Sequence, residues 1–472
     1  MNSLELARWQ FGLTTLIHFA FVATSIGLVF WVAALQTRWH RTGEDRYLRL
    51  TRFYGKLLLL SFAVGVVTGL MQTFQFGMNW SRFSRYVGDI FGAPLALEGL
   101  AAFFVEAIFL GLWMFGWGRL PRRLHLASIW IVAVATCISA FAILAVNSWM
   151  QHPVGYEIVD GRAQLVDVWA VLFNATVGLT LGHALSAALL TGTVVVLAVA
   201  SWHLLRGREV AVFGPLAGVA VKVGLVAGIA ALVFGHFQGV LAVEQQPMKM
   251  AAAEALYRTE SGAGLSVLAV GELATNPGEP WLNIKIPSLL SLVNDLSTSS
   301  TFRGINELEA EAILKHGPGD YVPVVGLMYW SFRAMIGAGM ALILLMAVGC
   351  WLAARGRLTR SRRFLNVAVW AAVLPQLGQV GGWILREGGR QPWVVEGLLR
   401  TDMADSPNVG AWTVALSLVA FLAIYGAVAW LAGRVAAHEI REGLEDEAPA
   451  TAPPDGAPAR GPRSTGDLAL TY

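Results

Sequence analysis

Residues 177–203 read VGLTLGHALSAALLTGTVVVLAVASWH and contain no Asp, Glu, Lys or Arg. A helix rises about 1.5 Å per residue and a bilayer's hydrocarbon core is about 30 Å thick, so roughly 20 apolar residues cross it. The stretch is long enough, and a chain in lipid must satisfy its own backbone, so it is expected to be a transmembrane helix. His183 interrupts its interior, and small residues surround that imidazole: Gly178, Gly182, Ala184, Ser186 and Ala187. Such residues suit close helix packing, and equally a bulky planar group beside the histidine.

Working outward, comparable apolar runs lie near 11–36, 53–77, 91–117, 125–149, 216–240, 324–353, 364–386 and 411–436. The expected fold is all-α: a polytopic membrane protein, a bundle of about nine transmembrane helices. Composition agrees, with 56% hydrophobic and only 14% charged residues in 472, against roughly 25% charged in soluble domains. Eighteen Trp suit membrane interfaces and flat cofactors. The net charge of +3 gives no sign of nucleic acid as a partner. Cys137 and Cys350 lie in apolar runs with no neighbour at metal-ligand spacing, which argues for inert thiols and against an iron–sulfur site. The first apolar run has no small-residue cleavage site and is expected to be retained. Residues 1–440 are read as one membrane unit containing a polar loop, 241–323. The Pro/Ala/Gly-rich segment 441–472 is read as a disordered tail.

Arginines orient the bundle. Arg38, Arg41, Arg46, Arg49 and Arg52 follow the first run, and Arg119, Arg122 and Arg123 follow the third. Arg206 and Arg208 follow the fifth, and Arg355, Arg357, Arg360, Arg362 and Arg363 the seventh. By the positive-inside rule these loops and the C-terminus are cytoplasmic, while the N-terminus and the 241–323 loop are outside. Arg386, Arg390 and Arg400 run against this pattern and call for a separate explanation.

Ionisable groups inside a bilayer are costly and mark function. His18 and His183 are each a ligand for haem iron or a histidine hydrogen-bonded to a neighbouring helix. Met335 follows Arg333 by two residues; a buried arginine needs an anion, such as a haem propionate. Glu98 and Glu106 lie eight apart, about 80° in azimuth on a regular helix. Stacked membrane carboxylates suggest ligation or a proton path. Trp383, Glu387, Arg390 and Trp393 crowd a glycine-rich helix end, as in a cofactor wall. Counting rises from the loop side puts His18 roughly 10 Å deep, with Glu98, His183, Met335 and Glu387 in the same half of the membrane. Lys249 and Glu254 open the polar loop on what reads as a short helix, where a quinol headgroup could find hydrogen-bonding partners.

Together EGLAAFFVE (98–106), QPMKMAAAE (246–254), SFRAM (331–335) and GRQPW (389–393) resemble signature stretches of subunit I of cytochrome bd quinol oxidases. The resemblance covers the chain to about residue 436. It implies a haem-bearing terminal oxidase of the bacterial cytoplasmic membrane that oxidises quinol (menaquinol or ubiquinol) outside and reduces dioxygen to water. Cytoplasmic protons would be consumed and membrane potential generated. It further implies a second subunit, a small single-helix subunit, and three haems: low-spin haem b, high-spin haem b and haem d. His183 and Met335 resemble the low-spin ligands, with Arg333 near a propionate. His18 and Glu387 resemble the proximal ligands of the high-spin pair, with Glu98 beside them. Trp383 and Arg390 belong to the same cofactor wall. Glu106 resembles the proton-delivery carboxylate, and Lys249 and Glu254 the quinol-oxidising residues. The loop is short, as in one branch of the family. Ala107 stands where some members have a hydroxyl. A b-haem-only oxidase shares these ligands. A transporter with an intramembrane proton pathway is the rival from another class.

Overall fold

The computed structural model describes residues 2–271 and 280–444. Among these, nine helices are long and apolar enough to cross a membrane: Ser3–Thr42, Asp45–Met78, Ser81–Phe115, Arg122–Gln151, Val168–Leu205, Val210–Gln245, Val325–Ala354, Arg362–Gly388 and Ala411–Glu442. Each expected run falls on one of them, and most helices extend beyond the membrane-length core. Local chemistry sets the ends. Asn2 and Glu5 form a reciprocal capping box at the start of the first span, and Gly43 ends it at φ 71.

Consecutive spans run in opposite directions, so the connections fall at two ends. Residues 43–44, 116–121, 206–209 and 355–361 form an arginine-rich end. Residues 79–80, 152–167, 246–324 and 389–410 form the other, the loop end.

Three spans depart from the regular helices expected. The third contains Pro94 and then a π-helical segment, Leu97–Phe103, before α-helix resumes at Phe104. The wider turn alters the angle between Glu98 and Glu106, so the estimate of about 80° on a regular helix does not apply. The fifth is broken near Asn174, whose side chain caps Ala175–Leu205. The eighth passes through a 3-10 turn, Ala371–Val373, ahead of Pro375.

The polar loop is more structured than its composition suggests. The sixth span runs to Gln245, and the short helix Pro247–Ala253 follows. Strands Leu265–Gly271 and Pro280–Ile286 pair antiparallel. Ile305 packs with Tyr257, Val325 and Tyr329, which ties the loop to the seventh span. At the other terminus the ninth span continues to Glu442 and Leu444 is buried, so the ordered chain passes the expected 440 boundary. The rest of the expected tail, 445–472, lies outside the described residues.

The largest apolar core sits towards the arginine-rich end, built from Leu28, Val32, Tyr54, Trp113, Leu197, Phe213 and their neighbours. There the first and fifth spans touch backbone to backbone. A Cβ on Gly27 would stand 2.6 Å from the Gly192 nitrogen, and one on Gly192 2.6 Å from the Gly27 Cα.

Candidate functional site

Two intramembrane histidines, His18 and His183, are held in the same way. His18 Nδ1 lies 2.9 Å from Thr68 Oγ1. The Thr68 hydroxyl gives its own proton to the Val64 carbonyl at 2.8 Å, so its oxygen accepts from the imidazole. His183 Nδ1 donates to the Ala231 carbonyl at 2.8 Å. Both rings therefore carry the proton on Nδ1 and keep a lone pair on Nε2. That is how a metal-ligating histidine is oriented, with one nitrogen fixed by a hydrogen bond and the other free. Glycines make room: a Cβ on Gly69 would come within 3.0 Å of the His18 ring, and one on Gly235 within 3.0 Å of the His183 ring. Met335 has the same relief, with a Cβ on Gly382 falling 3.0 Å from its sulfur.

The eighth span touches most of this set. Gly378, Gly381 and Gly382 face the seventh span around Met335. Trp383 meets Phe19, next to His18, edge-on at 6.2 Å. Arg386 donates to Asn147, to Ser148 Oγ at 3.2 Å and to Thr180 Oγ1 at 3.3 Å, one turn from His183. The Glu387 carboxylate accepts from Asn147 Nδ2 at 2.8 Å and pairs with Arg390. Arg390 is buried, and its second terminal nitrogen has no partner among the described residues. An unpaired buried guanidinium donor is costly, which fits an acidic group of a bound molecule at that point.

The fourth span carries a polar stripe that links the carboxylates. Thr136 donates to Glu106 Oε1 at 2.5 Å, and Ser139 to Glu98 Oε1 at 3.1 Å. Asn147 and Gln151 reach Glu387 from the same helix. These four positions fall within about a third of the helix circumference and span roughly 22 Å. Glu98 and Glu106 thus face one common helix.

Lys249 and Glu254, read as a pair, separate. Five residues apart on a short helix and its cap, they point about 140° away from each other. Both are buried, so neither belongs to a solvated turn. Lys249 donates to the side-chain oxygens of Gln151 and Gln246. Burial, then the charges of Arg386 and Arg390, holds its pKa well below the usual amine value. Glu254 forms an ion pair with Arg333 at 2.8 Å. Burial raises its pKa, against the opposing pull of Arg333. Arg333 also donates to the carbonyls of Ala253 and Ser266. The anion that sequence reasoning sought for Arg333 outside the chain has an internal counterpart in Glu254.

Sequence reading passed over several residues of this network: Thr68, Thr136, Ser139, Asn147, Gln151, Gln246 and Glu396. The stripe on the fourth span could have been found by testing its polar residues for a shared face. Glu396 carried no such signal, because the fold alone brings it to Gln246.

Among the described residues no group of three or more His, Cys, Asp and Glu could hold a bare metal ion. Haem needs less, since the macrocycle supplies four of the iron's donors and the protein one or two. The imidazole nitrogens of His18 and His183, the relieved thioether of Met335 and the spare guanidinium donor of Arg390 are the kinds of group a haem asks of its protein. The sequence matches the model of the cytochrome bd terminal oxidase subunit I family over residues 6–444. It is 43% identical over 447 residues to cytochrome bd ubiquinol oxidase subunit 1 of Bacillus subtilis (strain 168), covering 95% of each chain. It is 34% identical over 481 residues to cytochrome bd-II ubiquinol oxidase subunit 1 of Escherichia coli (strain K12), covering 89% of this chain and 93% of that one. The fold is similar to that of the bd oxidase from Geobacillus thermodenitrificans, at TM-score 0.85 and 27% identity, covering 93% of this chain and 99% of that one. The chain belongs to the cytochrome bd terminal oxidase subunit I family, whose members carry haem. That membership favours the oxidase over the transporter reading.

Proposed function

We propose that the chain is the haem-bearing subunit of an oxidase that takes electrons from quinol at the loop end and passes them to dioxygen, forming water. The observation that carries the reading is the matched pair of imidazoles, His18 and His183, each with Nδ1 spent and Nε2 bare. His183 and Met335 would hold low-spin haem b. His18 and Glu387 would serve the high-spin pair, haem b and haem d, with Glu98 beside them and Trp383 as a wall. Arg390 would take an acidic substituent. Bound there, haem supplies one-electron transfer and, at an open coordination position, dioxygen reduction.

The chain's own residues bind quinol and move protons. Lys249 and Glu254, on different faces of the short helix, would be the quinol-oxidising residues. Glu254, with its pKa raised by burial, is suited to take a quinol proton. Arg333 keeps Glu254 in place. Glu106, deeper in the bundle and held by Thr136, would carry protons from the arginine-rich end. We read that end as cytoplasmic and the loop end as outside, in a bacterial cytoplasmic membrane. Protons released on one side and consumed from the other would build membrane potential. A second subunit and a small single-helix subunit complete the proposed complex.

The test is a reduced-minus-oxidised absorption spectrum of the complex co-expressed with its second subunit, followed by oxygen uptake on added quinol. A b-type signal with a long-wavelength chlorin band and quinol-dependent uptake is expected. The b signal alone moves the chain to the b-haem-only branch. A folded complex without haem absorption refutes the reading.

A further inference from the structure

Lys249 is joined to two carboxylates through two glutamines. Gln151 accepts from Lys249 through Oε1 and donates to Glu387 through Nε2 at 3.4 Å. Gln246 accepts from Lys249 through Oε1 and donates to Glu396 Oε2 through Nε2 at 3.0 Å. A primary amide has one accepting and one donating end, so a carboxylate at one end fixes which end faces Lys249. Glu387 is already paired with Arg390. Glu396 is held differently: Gln246 is its hydrogen-bond partner, and its surroundings bring in Lys249, Arg390 and Lys315. Its backbone is pinned as well, the amide donating to the Met150 carbonyl at 3.0 Å, next to Gln151.

The geometry points to Glu396 as a positioning residue for quinol oxidation, orienting Gln246 so that its oxygen holds Lys249 at the head of the loop. Glu396 is hydrogen-bonded to Gln246 and Gln246 to Lys249, so the bonded path from Glu396 bears on where the Lys249 amine stands. The inference rests on the reading of Lys249 as a quinol-binding residue. It adds a residue from the connection between the eighth and ninth spans, just after the GRQPW stretch, to a site built from the polar loop and the end of the fourth span.

The experiment compares Glu396→Gln, Glu396→Leu, Lys249→Met and the double variant Glu396→Gln/Gln246→Glu in the assembled complex. Dithionite-reduced haem absorption checks assembly, and steady-state oxygen uptake against quinol concentration gives KM and kcat. Glu396→Gln, which keeps volume and removes charge, is expected to raise the quinol KM about fivefold with kcat changed less, the loss of charge assistance in one hydrogen bond. Glu396→Leu removes the acceptor and should raise it further. The double variant returns a carboxylate to the group touching Lys249 and should recover most of the loss, which a purely structural role would not. If Lys249→Met raises KM while both Glu396 variants stay within twofold of the parent, the inference is overturned and the Lys249 reading stands. An unchanged Lys249→Met overturns both. Should Glu396→Leu fail to assemble, the isosteric Glu396→Gln carries the test.

Discussion

The two ends of the bundle use glycine for opposite purposes. Towards the arginine-rich end Gly27 and Gly192 let two helix backbones touch, inside a core of large apolar side chains. Towards the loop end Gly69, Gly235 and Gly382 lie against His18, His183 and Met335. The first pair serves close packing, and the second set makes room for side chains with donor atoms. A membrane bundle gains little from apolar contact between helices, because lipid is equally apolar; close packing and polar pairing hold it together instead. At Met335 the two uses meet, with Gly381 against the seventh span's backbone and Gly382 against the sulfur.

Substitutions can break this contrast. Gly192→Leu should have the largest effect, because its side chain meets Gly27 backbone that cannot move aside. A cost above ~3 kcal/mol and loss of assembled complex are expected, read as membrane yield and thermal stability. By contrast, Gly235→Ala should leave the fold and perturb the reduced haem spectrum, since its methyl meets the His183 ring. Glu254→Gln comes next: it leaves the half-buried Arg333 charge without its carboxylate, at about 3 kcal/mol, the lower part of the range because two carbonyls remain as acceptors. A fall in Tm with a weakened quinol response is the expected result.

Lys249 gives a pH test. Its folded pKa lies well below the 10.5 that an unfolded chain would show. Between those values the unfolded chain holds a proton that the folded chain lacks. Stability from this group is full above the unfolded value and declines as pH falls towards the folded one, by up to ~1.4 kcal/mol per pH unit. Lys249→Met should flatten that slope in Tm measured from about pH 8 to 10, and an unaltered slope would contradict it. Smallest of all, Thr136→Val should cost about 1 kcal/mol for one hydrogen bond while slowing turnover more than stability suggests, if Glu106 moves protons.

The nine spans were legible because lipid imposes a length and a polarity that composition cannot hide. The candidate residues were legible because an ionisable group in an apolar run stands out by its cost, as His183 does among small neighbours. What the sequence did not reveal was pairing. Lys249 and Glu254 look like partners five residues apart, yet each finds its partners elsewhere: Lys249 at Gln151 and Gln246, Glu254 at Arg333. Thr136 and Ser139 look unremarkable until the third span brings two carboxylates against them. The π-helical segment in that span was equally hidden, since only the folded backbone shows the wider turn.

The Arg333 tether has an optical consequence. It grips the polar loop at Ala253, Glu254 and Ser266, and it sits two residues from Met335 on the same helix. If that sulfur is bound to iron, a pull on the loop is a pull on a chromophore. Whatever docks on the loop would then announce itself as a change of colour, and the protein would carry its own dye for reading how firmly the loop is held.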